Sequence, residues 1–343
     1  MRFLISASGT GGHVFPANEF SKECIQNNHE IIWIGTKIGI ENKIINEDIL
    51  FLTLPMRGFR GKNLLYKILS LLSLISSVFK SIYYLKKNNI DYVICFGGYI
   101  SLPVGLSAWI CRKPLFLHEQ NAVMGTSNTL LKKFSKIIFL GFSLNKPLIK
   151  KMKLVGNPIK KFKENAPLDL NRQPIRIYVT GGSQGSEFLN STIPIALNSL
   201  DIEIKVRHQS GVGKASGIEE LYSNKISVEV VEFYDNPQDS ILWSDFMISR
   251  AGALSLSEAI SLKRGSIMIP LSSSIDDHQL FNALNIKNLG MGLIHEESES
   301  IESLTKKIKN IIDKKLYIKW SKKKNNFDHF QSAERMLVSI LRS

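Results

Sequence analysis

The sequence predicts an α/β protein built of two Rossmann-like domains that face each other across a cleft. Three observations carry this. Short apolar runs alternate with longer helix-like segments along the 343 residues, the pattern of repeated βα units. Each half opens on a strand-like run followed by a glycine-rich turn, Ser8-Gly-Thr-Gly-Gly-His13 in the first and Gly181-Gly-Ser-Gln-Gly185 in the second. Between the halves, residues 158–174 hold Pro158, Lys160, Lys161, Lys163, Pro167, Asn171 and Pro174, the polar, proline-containing composition of a linker. The expected domains are therefore 1–157 and 175–325, with a helix in 326–343 packing back toward the first.

Taken in order, residues 2–7 read as a buried strand and 14–28 as a helix. A strand over 30–35, a helix near 39–47 and a strand over 49–54 follow. Residues 91–96 and 114–118 are further strands, ending in Gly97-Gly98-Tyr99 and His118-Glu-Gln-Asn121, and Lys153 to Val155 closes the first half. In open α/β sheets ligands bind beyond the carboxyl ends of the strands, so the three polar stretches are expected to gather along one edge. Residues 64–85, rich in Leu, Ile and Ser, are interrupted by Lys67 and Lys80 and so do not read as a membrane span. They read as a crossover helix packed on the sheet, with a membrane-facing patch at its start. In the second half, strands near 175–180, 202–207, 226–231, 245–249 and 266–270 precede helices at 298–313, 315–325 and 331–341.

Composition narrows the function. Hydrophobic residues at 44% and charged residues at 22% place the chain among folded globular proteins. The 3 Cys lack C-x-x-C spacing, which argues against a disulfide framework or zinc site and fits a reducing cytoplasm. A net charge of +14 suggests an anionic partner: nucleic acid, an acidic membrane or a phosphorylated substrate. No helix-turn-helix, RNP-type or zinc pattern accompanies the charge, so nucleic acid is not expected. No metal-ligand constellation and no Gly-x-Ser-x-Gly elbow is evident.

What recurs is a supply of backbone N–H groups at helix N-termini, the chemistry of a phosphate site. Gly9, Gly11 and Gly12 are expected to take positive φ and to let a ligand approach, with His13 at the mouth of the loop. Ser183 reads as a phosphate contact or a helix cap. Glu258 reads as a ribose-binding carboxylate or a first-turn residue answering the helix dipole.

Gly9-Thr-Gly-Gly-His13, His118-Glu-Gln-Asn121, Gly156-Asn-Pro158, Gly181-Gly-Ser-Gln-Gly185, Arg250-Ala-Gly-Ala-Leu254 with Glu258, and Gln279 stand in an order and spacing that resembles the MurG-type N-acetylglucosaminyltransferases of glycosyltransferase family 28. The resemblance runs from about residue 2 to the C-terminal helices. It implies a GT-B fold and inverting transfer of N-acetylglucosamine from UDP-N-acetylglucosamine (UDP-GlcNAc). The implied acceptor is undecaprenyl-diphospho-N-acetylmuramoyl-pentapeptide (lipid I), giving lipid II for peptidoglycan at the cytoplasmic face of the membrane. The second domain is implied to hold UDP-GlcNAc, a substrate rather than a resident cofactor, and the first to face lipid I.

Carried over by position, the donor contacts are Thr10, Gly11, Gly12, Asn121, Lys160, Ser183, Tyr234, Ala253, Leu254, Ser255, Leu256, Ser257, Glu258 and Gln279. Two positions depart from the family pattern: Lys160 stands where Arg is common, keeping charge but not the planar fork, and Tyr234 where an aliphatic residue is common. An inverting transfer needs a base, for which His13 is the candidate and Glu119 the alternative. Arg57, Arg60 and Lys62, followed by Leu64, Leu65 and Ile68, are expected to meet the lipid diphosphate and an anionic membrane surface. Other cell-wall synthesis and division proteins are further expected partners. Two rival readings stay open here: a transferase using a UDP-sugar on another membrane lipid, such as diacylglycerol, and a catalytically idle nucleotide-binding scaffold at the membrane.

Overall fold

The computed structural model describes residues 1–56, 64–162, 168, 173–323 and 328–343, with the backbone alone described at 64–68 and 275. The chain divides into two compact units, Met1–Lys160 with His329–Ser343, and Lys161–Asp328.

In unit 1 the chain runs β1 (Arg2–Ser6), α1 (Gly11–Gln26), β2 (Glu30–Gly35), α2 (Glu41–Ile44), β3 (Leu50–Thr53), α3 (Leu64–Lys87), β4 (Tyr92–Cys95), α4 (Ser101–Ile110), β5 (Leu115–Glu119), α5 (Thr126–Leu131), β6 (Ile137–Leu140) and β7 (Met152–Leu154). The seven strands form one parallel sheet in the order β3-β2-β1-β4-β5-β6-β7. Order reverses between β1 and β4, the switch point of a doubly wound sheet. Phe3, Leu4 and Ile5 are fully buried because both faces of the sheet are covered. Side chains alternate between the faces with period two. Phe3 and Ile5 pack with Val14, Ala17 and Phe20 of α1, whereas Leu4 packs with Val104 and Ala108 of α4.

The crossover helix α3 departs from expectation. It packs on α4, but through small residues: Ser70, Ser77 and Ser81 are buried, and Ser107 of α4 donates to the Val78 carbonyl at 3.0 Å. Its large side chains Leu69, Leu71, Leu72, Ile75, Phe79 and Tyr83 are exposed, Phe79 by 69%. Serines allow the two backbones to approach closely, so this apolar stripe of α3 faces outward, while at the C-terminal end Leu85 is buried in the core with Val93 of the sheet and Val104 of α4, and Tyr84 packs against it.

Unit 2 holds β8 (Ile175–Thr180), α6 (Glu187–Asn198), β9 (Ile204–Gln209), β10 (Ile226–Val231), α7 (Pro237–Trp243), β11 (Phe246–Ser249), α8 (Ala253–Ser261), β12 (Ser266–Met268), α9 (His278–Asn288), β13 (Gly292–Ile294), α10 (Ile301–Asp313) and α11 (Leu316–Ser321). Its parallel sheet runs β10-β9-β8-β11-β12-β13, again reversing beside the first strand. Ile177 and Val179 of β8 share a core with Ile193 and Leu197 of α6 and Leu304 and Ile308 of α10. The last helix, α12 (Ser332–Leu341), returns to unit 1 and packs on α1 through Ala333, Met336, Leu337 and Ile340. His329, just before it, accepts the Asn157 N–H at Nδ1 (2.8 Å), so Gly156-Asn-Pro158 serves as the anchor for this return.

Candidate active site

In unit 1 the loops after β1, β4 and β5 converge. Helix α1 begins at Gly11, three residues earlier than its apolar pattern suggests, with Thr10 as its N-cap. Only Gly9 of this loop has positive φ (95°), so Gly11 and Gly12 are helical first-turn residues rather than left-handed ones. No side chain caps this helix, and among the described residues nothing takes up the N–H groups of Gly11 and Gly12. These amides and the helix dipole form an anion-accepting end.

His13 lies half-buried on that first turn, its Nδ1 3.2 Å from the Thr10 hydroxyl. Burial of the ring lowers its pKa to about 4, so the imidazole is neutral at physiological pH. When Nδ1–H donates to Thr10, Nε2 carries the lone pair that a base needs. The ring lies against Gly97, where a Cβ would come within 2.5 Å of Cδ2. Gly97 (φ 105°) and Gly98 (φ 79°) are both left-handed, and Gly98 packs against the Ser8 carbonyl. Ser127 donates to the Gly98 carbonyl at 2.9 Å, joining the β5 side to this cluster.

Glu119, the alternative base, is committed elsewhere. It is buried and accepts from the Asn121 N–H (3.2 Å), the Gly125 N–H (2.8 Å) and Asn128 Nδ2 (2.9 Å). Burial raises its pKa and these donors pull it back. The carboxylate thus folds the 120–125 loop that carries Asn121. Its neighbour His118 is fully buried against Phe96, with Nε2 3.3 Å from the Gly156 carbonyl. Lys160 is exposed at the end of unit 1. Arg57, Arg60 and Lys62, and the side chains of Leu64, Leu65 and Ile68, lie outside the described residues.

In unit 2 the second glycine loop follows β8. Ser186, not Ser183, caps α6, accepting the Leu189 N–H at 3.3 Å, and Ser183 stays exposed in the loop. Helix α8 starts after Gly252 without a side-chain cap, which leaves the Ala253 and Leu254 amides at a second dipole end. Glu258 is the sixth residue of α8, beyond the first turn, so the dipole does not account for it; Gln238 Nε2 lies 3.4 Å from its Oε1. Leu254, Ser255 and Glu258 line the half-exposed side of the helix. Leu256 and Ser257 are fully buried, and Ser257 donates to the Ala253 carbonyl, so their side chains cannot serve as donor contacts. Gln279 opens the first turn of α9 and accepts the Leu271 N–H at 3.0 Å. Tyr234 sits edge-on to Tyr178, with the Arg207 guanidinium 6.0 Å over its ring.

Two features here escaped the sequence. Arg250 forms a largely buried ion pair with Glu297 (2.5 Å) and donates to the Ile269 and Pro270 carbonyls, while Glu297 accepts the Ser272 N–H. Together they fix the loop between β12 and α9. Gln209, at the end of β9, bonds both the glycine loop and the Tyr234 backbone. Its only sequence signal is a polar run, His208-Gln-Ser-Gly211, at the carboxyl end of a strand. Among the described residues no three His, Cys, Asp or Glu side chains group as metal ligands.

Residues 3–140 match the glycosyltransferase family 28 N-terminal domain, and residues 176–337 the family's C-terminal domain. A UDP-N-acetylglucosamine--N-acetylmuramyl-(pentapeptide) pyrophosphoryl-undecaprenol N-acetylglucosamine transferase of Coxiella burnetii is 36% identical over 312 residues, covering 89% of this chain and 86% of the relative. The chain belongs to glycosyltransferase family 28. A transferase of the same description from Francisella tularensis is 35% identical over 324 residues, covering 89% of this chain and 87% of its own. The crystal structure of Acinetobacter baumannii MurG, a 26% identical chain, superposes with a TM-score of 0.85 over 100% of this chain and 99% of that one. The kitacinnamycin glycosyltransferase, at 11% identity and a TM-score of 0.78 over 99% and 98% of the two chains, shares the fold alone. Two parallel-sheet α/β units of this kind make up the GT-B glycosyltransferase architecture of the family.

Proposed function

We infer that the protein transfers N-acetylglucosamine from UDP-GlcNAc to lipid I, with inversion, and so forms lipid II for peptidoglycan. The observation that carries this is the relatives' shared activity at about 36% identity over 89% of the chain. The geometry fits: uncapped helix ends and a glycine loop in unit 2 suit a UDP diphosphate, and a neutral His13 in unit 1 suits proton removal from an acceptor hydroxyl. The glycine-loop, α8 and Gln279 positions would hold the donor, with the α8 contribution coming from backbone amides, Ser255 and Glu258.

No helix among the described residues is long and apolar enough to cross a membrane. The outward face of α3, with Leu72, Ile75, Phe79 and Tyr83 exposed beside Lys80 and Lys87, supports peripheral attachment to an anionic membrane surface at the cytoplasmic face. The α3 stripe extends the attachment region well past Ile68. Transfer of labelled N-acetylglucosamine to a short-chain lipid I analogue, run beside a diacylglycerol acceptor, tests the reading. Product with the lipid I analogue alone supports it; product with diacylglycerol alone, or none at all, overturns it.

A further inference from the structure

Gln209 is buried, and both ends of its amide are hydrogen-bonded. Nε2 donates to the Gly182 carbonyl at 2.9 Å, while Oε1 accepts from the Tyr178 hydroxyl at 3.1 Å and the Tyr234 N–H at 3.4 Å. Gly182 is held at its other end as well, its N–H donating to Thr180 Oγ1 at 3.0 Å. It has φ +78°, and no atom lies within 4 Å of where a Cβ would stand, so one side of the residue is open.

Next to it, Gly185 and Gly211 meet backbone to backbone: a Cβ on Gly211 would lie 2.5 Å from the Gly185 Cα. Asn190 bonds the Ser210 carbonyl and His208 Nε2, so the whole 208–211 segment grips the loop. In a trans peptide the carbonyl and the following N–H point in opposite directions. With the Gly182 carbonyl turned inward to Gln209, the Ser183 N–H is turned outward. Ser183 is exposed, and among the described residues nothing takes up its N–H.

We propose that Gln209 is a positioning residue for the transfer: it aims the Ser183 N–H at the diphosphate of the UDP donor and, through Tyr234, spaces that amide from the segment after β10. The inference rests on the UDP-sugar reading above. Only a side chain that both donates and accepts satisfies Gly182, Tyr178 and Tyr234 together. An amide aimed in advance stabilises the charge that gathers on the departing UDP without reorganising during the reaction.

The test compares wild type, Gln209→Leu and Gln209→Glu for calorimetric binding of UDP and of uridine from pH 5.5 to 8, with melting curves alongside. At pH 8 both variants should bind UDP at least tenfold more weakly, with a smaller loss for uridine. Lowering the pH should restore UDP binding in Gln209→Glu, because the protonated acid can again donate to Gly182, and leave Gln209→Leu unrestored. If Gln209→Leu does not fold, the pH-dependent recovery of Gln209→Glu alone decides. Unchanged UDP affinity in the variants, or equal losses for UDP and uridine with no recovery, overturns the proposal. A wild-type chain that binds neither ligand overturns the UDP-sugar reading beneath it.

Discussion

His13 and Glu119 are both titratable groups near the glycine loops, and burial acts on them in opposite ways. It favours neutral imidazole, leaving His13 ready to accept a proton, and it disfavours the carboxylate of Glu119, which three donors then stabilise. Removing the base in His13→Ala should lower kcat by roughly 10²- to 10⁴-fold with the melting temperature little changed. A loss within a few-fold would rule out the base role. In the wild type, the His13 contribution to kcat should stay level from neutral pH down to about 5 and fall as the pH approaches 4, where the imidazole takes a proton. Glu119→Gln places an N–H donor where the Gly125 and Asn128 donors already point, so it should cost about 1–3 kcal/mol in chemical denaturation, consistent with a folding role. Sequence alone located both residues but could not separate their roles, because the distinction lies in which backbone N–H groups the 120–125 loop turns inward.

Helix α3 illustrates what an apolar pattern leaves undetermined at the scale of an element. Its leucines and serines alternate in a way that allows either face to be buried, and the choice falls to the serines because α4 offers small residues and a carbonyl-seeking hydroxyl, Ser107, to meet them. Ile75→Asp and Phe79→Asp, at exposed positions, should therefore leave stability within about 0.5 kcal/mol. They should reduce co-sedimentation with anionic vesicles severalfold while transfer to a water-soluble acceptor continues at its normal rate. Unaltered vesicle binding would detach this face from the membrane. Other elements were easier to read. The long apolar strands and the glycine turns announce themselves, since parallel strands buried on both faces are continuous hydrophobic runs. β6 and β13, at four and three residues, are too short to show any period, and the start of α1 is hidden because two glycines occupy its first turn.

Across the whole molecule, acid sensitivity should be shared by both units. His118 and His329 in unit 1 and His208 in unit 2 are buried, which lowers them from 6.5 to about 4, about 3 and about 4. Between those values and 6.5 the unfolded chain binds more protons than the folded one, so this stabilisation is complete above about pH 6.5 and is lost as pH falls toward 4. The melting temperature should be level above pH 7 and lower by roughly 5 °C or more at pH 5. A flat profile over that range would show that these imidazoles are not held neutral. The alternation of βα units and the proline-containing break make the two-part organisation legible in the sequence. The seat of α12 on α1 needs the fold, because its partners Val14, Ala17 and Phe20 lie more than three hundred residues away in the chain. That seat has a consequence during synthesis. Unit 1 is interrupted by the 168 residues of Lys161–Asp328, so at about 5–20 residues per second the ribosome needs roughly 8 to 34 s to pass from its sheet to the helix that completes its core. For that interval the nascent chain carries an uncovered apolar surface along α1, and it is then that a chaperone has most to protect.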